Sequence, residues 1–131
     1  MRRSLFPVDS REIARQEIAA ILAKETEAAF AIRAAGVWLG FIELRERSHG
    51  QGCETSPVAY IEALWTEPDR RRRGVARRLV AAAIDWYRER GLRELCSDTQ
   101  IDNLVSQAVH RRLGFEETAR LVTYRMKGLS G

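Results

Sequence analysis

Ala63-Leu-Trp-Thr-Glu-Pro-Asp-Arg-Arg-Arg-Arg-Gly-Val-Ala76, continued by the amphipathic stretch 77–90, decides how this chain is built. An apolar run ending near Trp65, a basic turn containing a glycine, and a helix start follow in that order. Such a strand, turn and helix aim the free N–H groups of the turn and first helical residues out of the end of a sheet, a site suited to phosphate or pyrophosphate. Arg71-x-x-Gly74-x-Ala76 lacks the Lys-Ser/Thr ending of a nucleoside triphosphate loop and the three-glycine spacing of a dinucleotide fingerprint. Neither ATP nor NAD is favoured. Gly74 removes a side chain where the backbone must approach an anion, Ala76 keeps the next turn narrow, and the arginines add charge around it. Six residues alone would read equally well as a solvated arginine run. Their placement between a strand and a helix favours the anion site.

The 131 residues suffice for a single domain, 1–131, with one core. The formal net charge of +4 comes largely from arginines at 70–78, so the basicity is local and fits an anionic ligand. Aromatic interleaving and reader motifs are missing, which makes nucleic acid a weak second choice. Cys53 and Cys96 lie far apart with no metal-ligand spacing, so neither a metal site nor a disulfide framework is signalled and a reduced cytoplasm is expected. No apolar run approaches the ~20 residues of a membrane span, and Met1-Arg-Arg leads into Ser4-Leu-Phe-Pro rather than a signal-peptide apolar region.

Asp9-Ser-Arg-Glu12 has the form of a capping box, and Ile13, Ile18, Ile21 and Leu22 recur near helical spacing, which predicts a helix to Lys24. Apolar runs 28–33 and 37–47 around Ala-Ala-Gly36 predict two antiparallel strands with a tight connection. The run 58–65 is apolar almost throughout, as a strand covered on both faces would be. Val75, Leu79, Val80, Ala83, Ile84 and Tyr87 keep to one helical face, with Gly91 as the stop. A short strand at 94–97, a helix at 104–113 ending at Gly114, and a final strand or strand pair over 115–126 complete the order. This is an α/β fold, a central sheet with helices on both faces.

The turn at Arg71–Ala76 resembles the Arg/Gln-x-x-Gly-x-Gly/Ala turn of the GNAT acyltransferase superfamily, which grips the pyrophosphate of acetyl-CoA. A second stretch, Asn103-x-x-x-x-Ala108-x-His110-x-x-Leu113-Gly114-Phe115, resembles the superfamily's Asn-x-x-Ala-x-x-x-Tyr-x-x-x-Gly-Phe. Further, Cys53-Glu-Thr-Ser-Pro-Val-Ala-Tyr-Ile-Glu62, Ser97-Asp-Thr-Gln-Ile-Asp-Asn103, Ala108-Val-His110 and Gly114-Phe-Glu-Glu-Thr118 are similar to stretches of bacterial aminoglycoside 6'-N-acetyltransferases. There the first runs close to Thr-Ser-Pro-Val-Ala-Phe-Leu-Glu-Gly. The resemblance extends from about Leu5 to Tyr124 and implies a mixed, mainly antiparallel GNAT sheet. These enzymes usually carry an extra strand and half a helix before the position of Leu5, so Met1 is expected to be an internal methionine of a longer product.

The resemblance implies acetyl-CoA as cosubstrate, without a metal, held by Leu64, Trp65 and Thr66 at a strand end, by Arg71, Arg72, Arg73, Gly74, Val75, Ala76 and Arg77 at the turn, and by Asn103. It implies an acceptor pocket at Phe6, His49, Glu62 and Asp98, with Phe6 at a family tryptophan and His49 near a family tyrosine. An amine attacks a thioester only when neutral, and an alkyl amine of pKa near 10 is neutral about one part in a thousand at pH 7. A carboxylate that positions the amine and takes its proton is therefore useful. Asp98 is the expected direct amine partner, with Glu62 binding acceptor or acting through water. His110 stands where many GNAT enzymes place the tyrosine that protonates the departing thiolate, and imidazole titrates in a suitable range.

Each residue also has a plainer reading. Glu62 and Asp98 read alone as surface carboxylates paired with arginines, His110 as a packed helix residue, Asp102 and Asn103 as a helix cap, and the tryptophans as core or interface aromatics. Three functional readings follow: a cytoplasmic, homodimeric acetyltransferase acting on aminoglycosides; a GNAT enzyme acting on a polyamine, small metabolite or protein amine; and a CoA-binding GNAT remnant without turnover.

Overall fold

A computed structural model describes residues 16–67 and 74–128. The capping box at 9–12, Phe6, and Arg71, Arg72 and Arg73 lie outside the described residues. The sheet runs in the order β1 (Glu17–Ala23), β2 (Glu27–Ala34), β3 (Val37–Arg47), β4 (Val58–Thr66) and β5 (Leu95–Cys96), with α1 (Val75–Glu89) between the last two strands. A second helix, α2 (Leu104–Arg112), follows β5. The chain divides after Asp98 into two compact units, the sheet and α1 in the first and α2 in the second.

Strands β1 to β4 are antiparallel neighbours and β5 is parallel to β4. The β2–β3 connection turns on Ala35 and Gly36, at φ 51° and 78°. Two consecutive positive φ values are what a tight two-residue hairpin of this hand requires. The fully covered strand expected at 58–65 is realised in its first half, where Val58, Ala59, Tyr60 and Ile61 are all buried. Burial breaks at Glu62, and the reason is a register shift. Glu43 pairs with Ala63 but Leu44 with Ile61, so Glu62 is the extra residue of a β-bulge.

The apolar face predicted for α1 is the one buried: Val75, Leu79, Val80 and Ala83 close over the sheet. Leu79 and Ala83 are fully enclosed. Burial of a leucine of this kind contributes about 1.5–3 kcal/mol. The approach of α1 to the sheet depends on Gly40. A Cβ there would lie 2.7 Å from the Trp65 carbonyl oxygen, 2.9 Å from Val75 Cγ1 and 3.2 Å from Leu79 Cδ1. The missing side chain lets the start of α1 sit down beside the end of β4. Helix α1 ends as the sequence predicts: Gly91 takes φ 77°, its N–H donates to the Arg88 carbonyl, and Leu92 N–H donates to Tyr87. This pair of bonds caps the last turn. Gly114 and Phe115 repeat it on the Arg111 and His110 carbonyls at the end of α2.

Two expectations are overturned. The predicted helix to Lys24 is instead strand β1 over Glu17–Ala23, paired from Glu17↔Arg33 to Ala23↔Ala28 with Ile21 as an extra residue. One extra residue breaks strict alternation, so a strand can imitate helical spacing over a few apolar positions. The final strand predicted over 115–126 is not formed. Residues 115–128 have no regular secondary structure, and Leu121, Val122, Tyr124 and Met126 are exposed. A strand exists only where a neighbouring backbone completes its ladder, which local composition does not supply.

Candidate active site

The parallel pairing of β4 with β5 is limited to Ala59↔Leu95 and Tyr60↔Cys96. Beyond that point β4 runs on through the bulge to Thr66 without β5 beside it. Four polar side chains gather where the two strands part. Arg47, the last residue of β3, donates from Nε and Nη2 to the two carboxylate oxygens of Glu62, each at 2.8 Å. The same guanidinium lies over the Tyr60 ring, 3.7 Å from its centroid. The Tyr60 hydroxyl in turn donates to Oδ2 of Asp98, two residues beyond β5.

Electrostatics within this cluster are specific. Burial, reinforced by the hydrogen bond to Asp98 and that carboxylate's charge, pushes the Tyr60 phenol up to about 12. Tyr60 therefore stays protonated and acts as a hydrogen-bond donor at any working pH. Glu62 holds the Arg47 guanidinium even more firmly charged than usual, chiefly through the paired hydrogen bonds. Arg47 and Glu62 cancel in charge, so the cluster keeps one net negative charge, on the exposed Asp98. That is a place for a single ammonium group.

The loop between β3 and β4 is tied to the residue that precedes β5. Glu94 accepts from the Glu54 N–H at 3.0 Å, from the Thr55 N–H at 2.7 Å, and from the Thr55 hydroxyl. Cys53 and Cys96, 43 residues apart, are joined in a disulfide that the sequence spacing did not signal. Linear separation hid a pairing made by the loop folding back over β5. The Glu94 carboxyl lies below the usual carboxylate range because these donors, the Thr55 hydroxyl first, favour its ionised form. A depressed folded-state value stabilises the fold above the ordinary value of 4.5, and the contribution is lost as pH falls through the depressed one. Glu94→Gln is thus expected to lower the unfolding midpoint near neutral pH, with the gap from the parent chain closing as pH drops below 4.5; a gap unchanged across that range would remove the carboxylate's role. His49, in this loop, is exposed, with Nε2 3.4 Å from Gln51 Oε1.

The start of α1 stands beside the end of β4, where Val75 and the Trp65 carbonyl both approach Gly40. Gly74 is the N-cap of α1 at φ 81°, and its carbonyl accepts from Arg78 at 2.9 Å. No acidic residue stands in the first turn, and among the described residues a Cβ on Gly74 would meet nothing within 4 Å. First-turn N–H groups have no intrahelical acceptor and carry the positive end of the helix dipole, so they are donors suited to an anion. Val75 is buried, leaving only its backbone for a ligand, while Ala76 is half-buried and Arg77 exposed. At the end of β4, Leu64 and Thr66 are half-buried, and Trp65 is 40 % exposed and stacked on Phe41 at 5.9 Å.

In the second unit, Asn103 caps α2, its side-chain oxygen accepting from Ser106 N–H at 3.0 Å. The plainer of its two sequence readings is thus realised. His110 Nδ1 lies 2.8 Å from the Ser106 carbonyl, which can only accept, so Nδ1 carries a proton and Nε2 is the basic nitrogen of the neutral ring. The ring packs edge-on against Phe115 at 5.3 Å. Among the described residues no group of His, Cys, Asp and Glu is arranged to hold a metal, and no helix is long and apolar enough to cross a membrane.

The acetyltransferase (GNAT) family model matches residues 2–115. The chain belongs to this family. Among curated relatives, aminoglycoside N(6')-acetyltransferase type 1 of Serratia marcescens is 43% identical over 127 residues, covering 95% of this chain and 87% of the relative. The enzyme of the same name from Salmonella typhimurium is 38% identical over 128 residues, covering 97% and 88%. Among solved structures, AAC(6')-Iy in complex with the bisubstrate analog CoA-S-monomethyl-acetylneamine superposes with a TM-score of 0.76 at 42% identity, covering 80% of this chain and 72% of that one. AAC(6')-Ih from Acinetobacter baumannii shares the fold, with a TM-score of 0.80 at 24% identity, over 86% and 98%. The GNAT sheet with flanking helices that the sequence implied is therefore this chain's fold.

Sequence reasoning named Asp98, Glu62 and Gly74, and it named neither Tyr60 nor Arg47, which stand in the same cluster as Asp98 and Glu62. Tyr60 reads in the sequence as one more apolar residue of a covered strand, and Arg47 as a charged strand end. The detectable signal was the tyrosine at the position where the family stretch has phenylalanine.

Proposed function

We propose that this GNAT chain transfers the acetyl group of acetyl-CoA to the 6'-amine of aminoglycosides. The observation that carries the reading is the exposed, singly negative Asp98 at the parting of β4 and β5, in a chain similar over nearly its whole length to enzymes of that name. Acetyl-CoA supplies a thioester whose C–S bond breaks as the amide forms. Its pyrophosphate is assigned to the backbone at Gly74, Val75 and Ala76, with Arg71, Arg72, Arg73 and Arg77 as surrounding charge. The end of β4, Leu64 to Thr66, offers backbone N–H donors for the thioester carbonyl.

Asp98 receives the acceptor's ammonium group and takes its proton, leaving a lone pair for attack. Glu62, satisfied by Arg47 on two of its roughly four lone-pair sites, keeps the others for acceptor hydroxyl or amine groups. His49 lies in the acceptor loop, and Phe6 is assigned to the same pocket from its position in the family pattern. Protonation of the departing thiolate is assigned to His110 on the same ground, and Asn103 contributes as the cap of α2.

The 131 residues are read as one catalytic domain and the protein as a homodimer, to which the exposed apolar side chains at 121–126 offer a surface for a second copy. A cytoplasmic location is read from the cosubstrate, which is metabolised there.

Thiol release from acetyl-CoA, measured with kanamycin, tobramycin and neomycin beside spermidine and a lysine peptide, tests the reading. Release with aminoglycosides alone, and a product acetylated at the 6'-amine, is the expected result. Release only with spermidine or the peptide would move the chain to another acceptor class, and CoA binding without any release would make it a non-catalytic GNAT.

A further inference from the structure

The cluster around Asp98 contains a group that acceptor binding and proton transfer do not explain. Tyr60 is a buried side chain whose hydroxyl has been brought to the one carboxylate left unneutralised at the site. Its backbone is fixed on both sides by strand pairing, and one face of its ring is covered. The backbone of Tyr60 pairs with Arg45 on β3 and Cys96 on β5, and the Arg47 guanidinium covers the ring face. Arg47 is itself held by the paired bonds to Glu62. The position of the Tyr60 hydroxyl is therefore set by strand register and by a fixed cation, while Asp98 stands on an irregular segment after β5 with an exposed side chain.

A carboxylate in that setting rotates freely unless something holds it, and an amine must be met within a fraction of an ångström to react efficiently. We propose that Tyr60, clamped by Arg47, is the positioning residue of this enzyme: its hydroxyl holds Oδ2 of Asp98 and leaves Oδ1 as the oxygen that receives the acceptor's proton. The inference rests on the acetyltransferase reading above. In the related stretch Thr-Ser-Pro-Val-Ala-Phe-Leu-Glu-Gly a phenylalanine occupies this place, so the hydroxyl is a feature of this chain rather than of the pattern it resembles. The high phenol value keeps the proton on Tyr60 throughout catalysis, so Tyr60 orients the base and does not replace it.

Tyr60→Phe removes the hydroxyl and keeps the ring beneath Arg47. With an aminoglycoside that the parent chain acetylates, the expected result is a kcat lower by about tenfold, with the KM for acetyl-CoA altered by less than about twofold. In an Asp98→Asn background the same substitution should lower kcat no further, because residues acting as one unit are non-additive. Unchanged kcat, an equal loss in the Asp98→Asn background, or loss of acetyl-CoA binding by Tyr60→Phe would each overturn the inference, the last by making Tyr60 a residue of the fold. If the parent chain itself acetylates no aminoglycoside, the functional reading fails first, and the comparison is made with whichever amine it does acetylate.

Discussion

Asp98→Asn is expected to lower kcat for aminoglycoside acetylation by about 10²–10⁴-fold, the usual worth of a positioned acid or base, while acetyl-CoA affinity stays within about twofold. The asparagine is nearly isosteric and can still accept from the Tyr60 hydroxyl, so the shape of the cluster survives. What disappears is the only charge that Arg47 does not already answer. The parent cluster carries one net negative charge from Arg47, Glu62 and Asp98; the variant carries none. An incoming ammonium then has neither a counter-ion nor a proton acceptor, and only about one alkyl amine in a thousand is neutral at pH 7. The acceptor KM should rise as well, and less steeply at high salt, because part of the loss is electrostatic attraction. Steady-state thiol release beside calorimetric titration of acetyl-CoA reads all three quantities. Turnover equal to the parent's would remove Asp98 from the mechanism and leave Glu62, with its remaining lone pairs, as the carboxylate to test.

How far the site was legible before the structure follows from how local each feature is. Strands β2 and β3 were legible as apolar runs and the buried face of α1 as helical spacing, each contained within one element. So was the glycine at 91, whose positive φ is required by the helix end it follows. Asp98 and Gly74 were legible because each stands in a motif that runs along the chain. The bulge at Glu62 was not, since it exists only in the count of β4 against β3. The contact of Tyr60 with Asp98, 38 positions apart, and the Cys53–Cys96 link are made by the parallel β4–β5 pairing. No period within either segment records such a pairing. β1 was misread for a related cause: pairing with β2, not the spacing of Ile18, Ile21 and Leu22, decides its conformation. The strand expected at 115–126 failed in the opposite direction, with suitable residues and no neighbouring backbone to complete it.

The other large effect is expected at Gly74, where two substitutions separate backbone strain from blocked access. At φ 81° a β-branched residue is strained, and Gly74→Val should cost roughly 1–2 kcal/mol of folding stability on that account. Asparagine tolerates this conformation far better, so Gly74→Asn should unfold close to the parent. Among the described residues nothing lies within 4 Å of the position a Cβ would take. The space either side chain would fill lies at the first turn of α1. If the pyrophosphate of acetyl-CoA approaches the backbone there, both variants must weaken its binding, Asn included. A tenfold or greater rise in Kd, about 1.4 kcal/mol or more, is expected for each, with thermal unfolding of the free Asn variant little changed. Weak binding by Val alone would trace the defect to strain in the turn. Parent-like affinity in both would mean that the anion is held elsewhere, and the assignment built on Arg71-x-x-Gly74-x-Ala76 would fail while that of Asp98 stood.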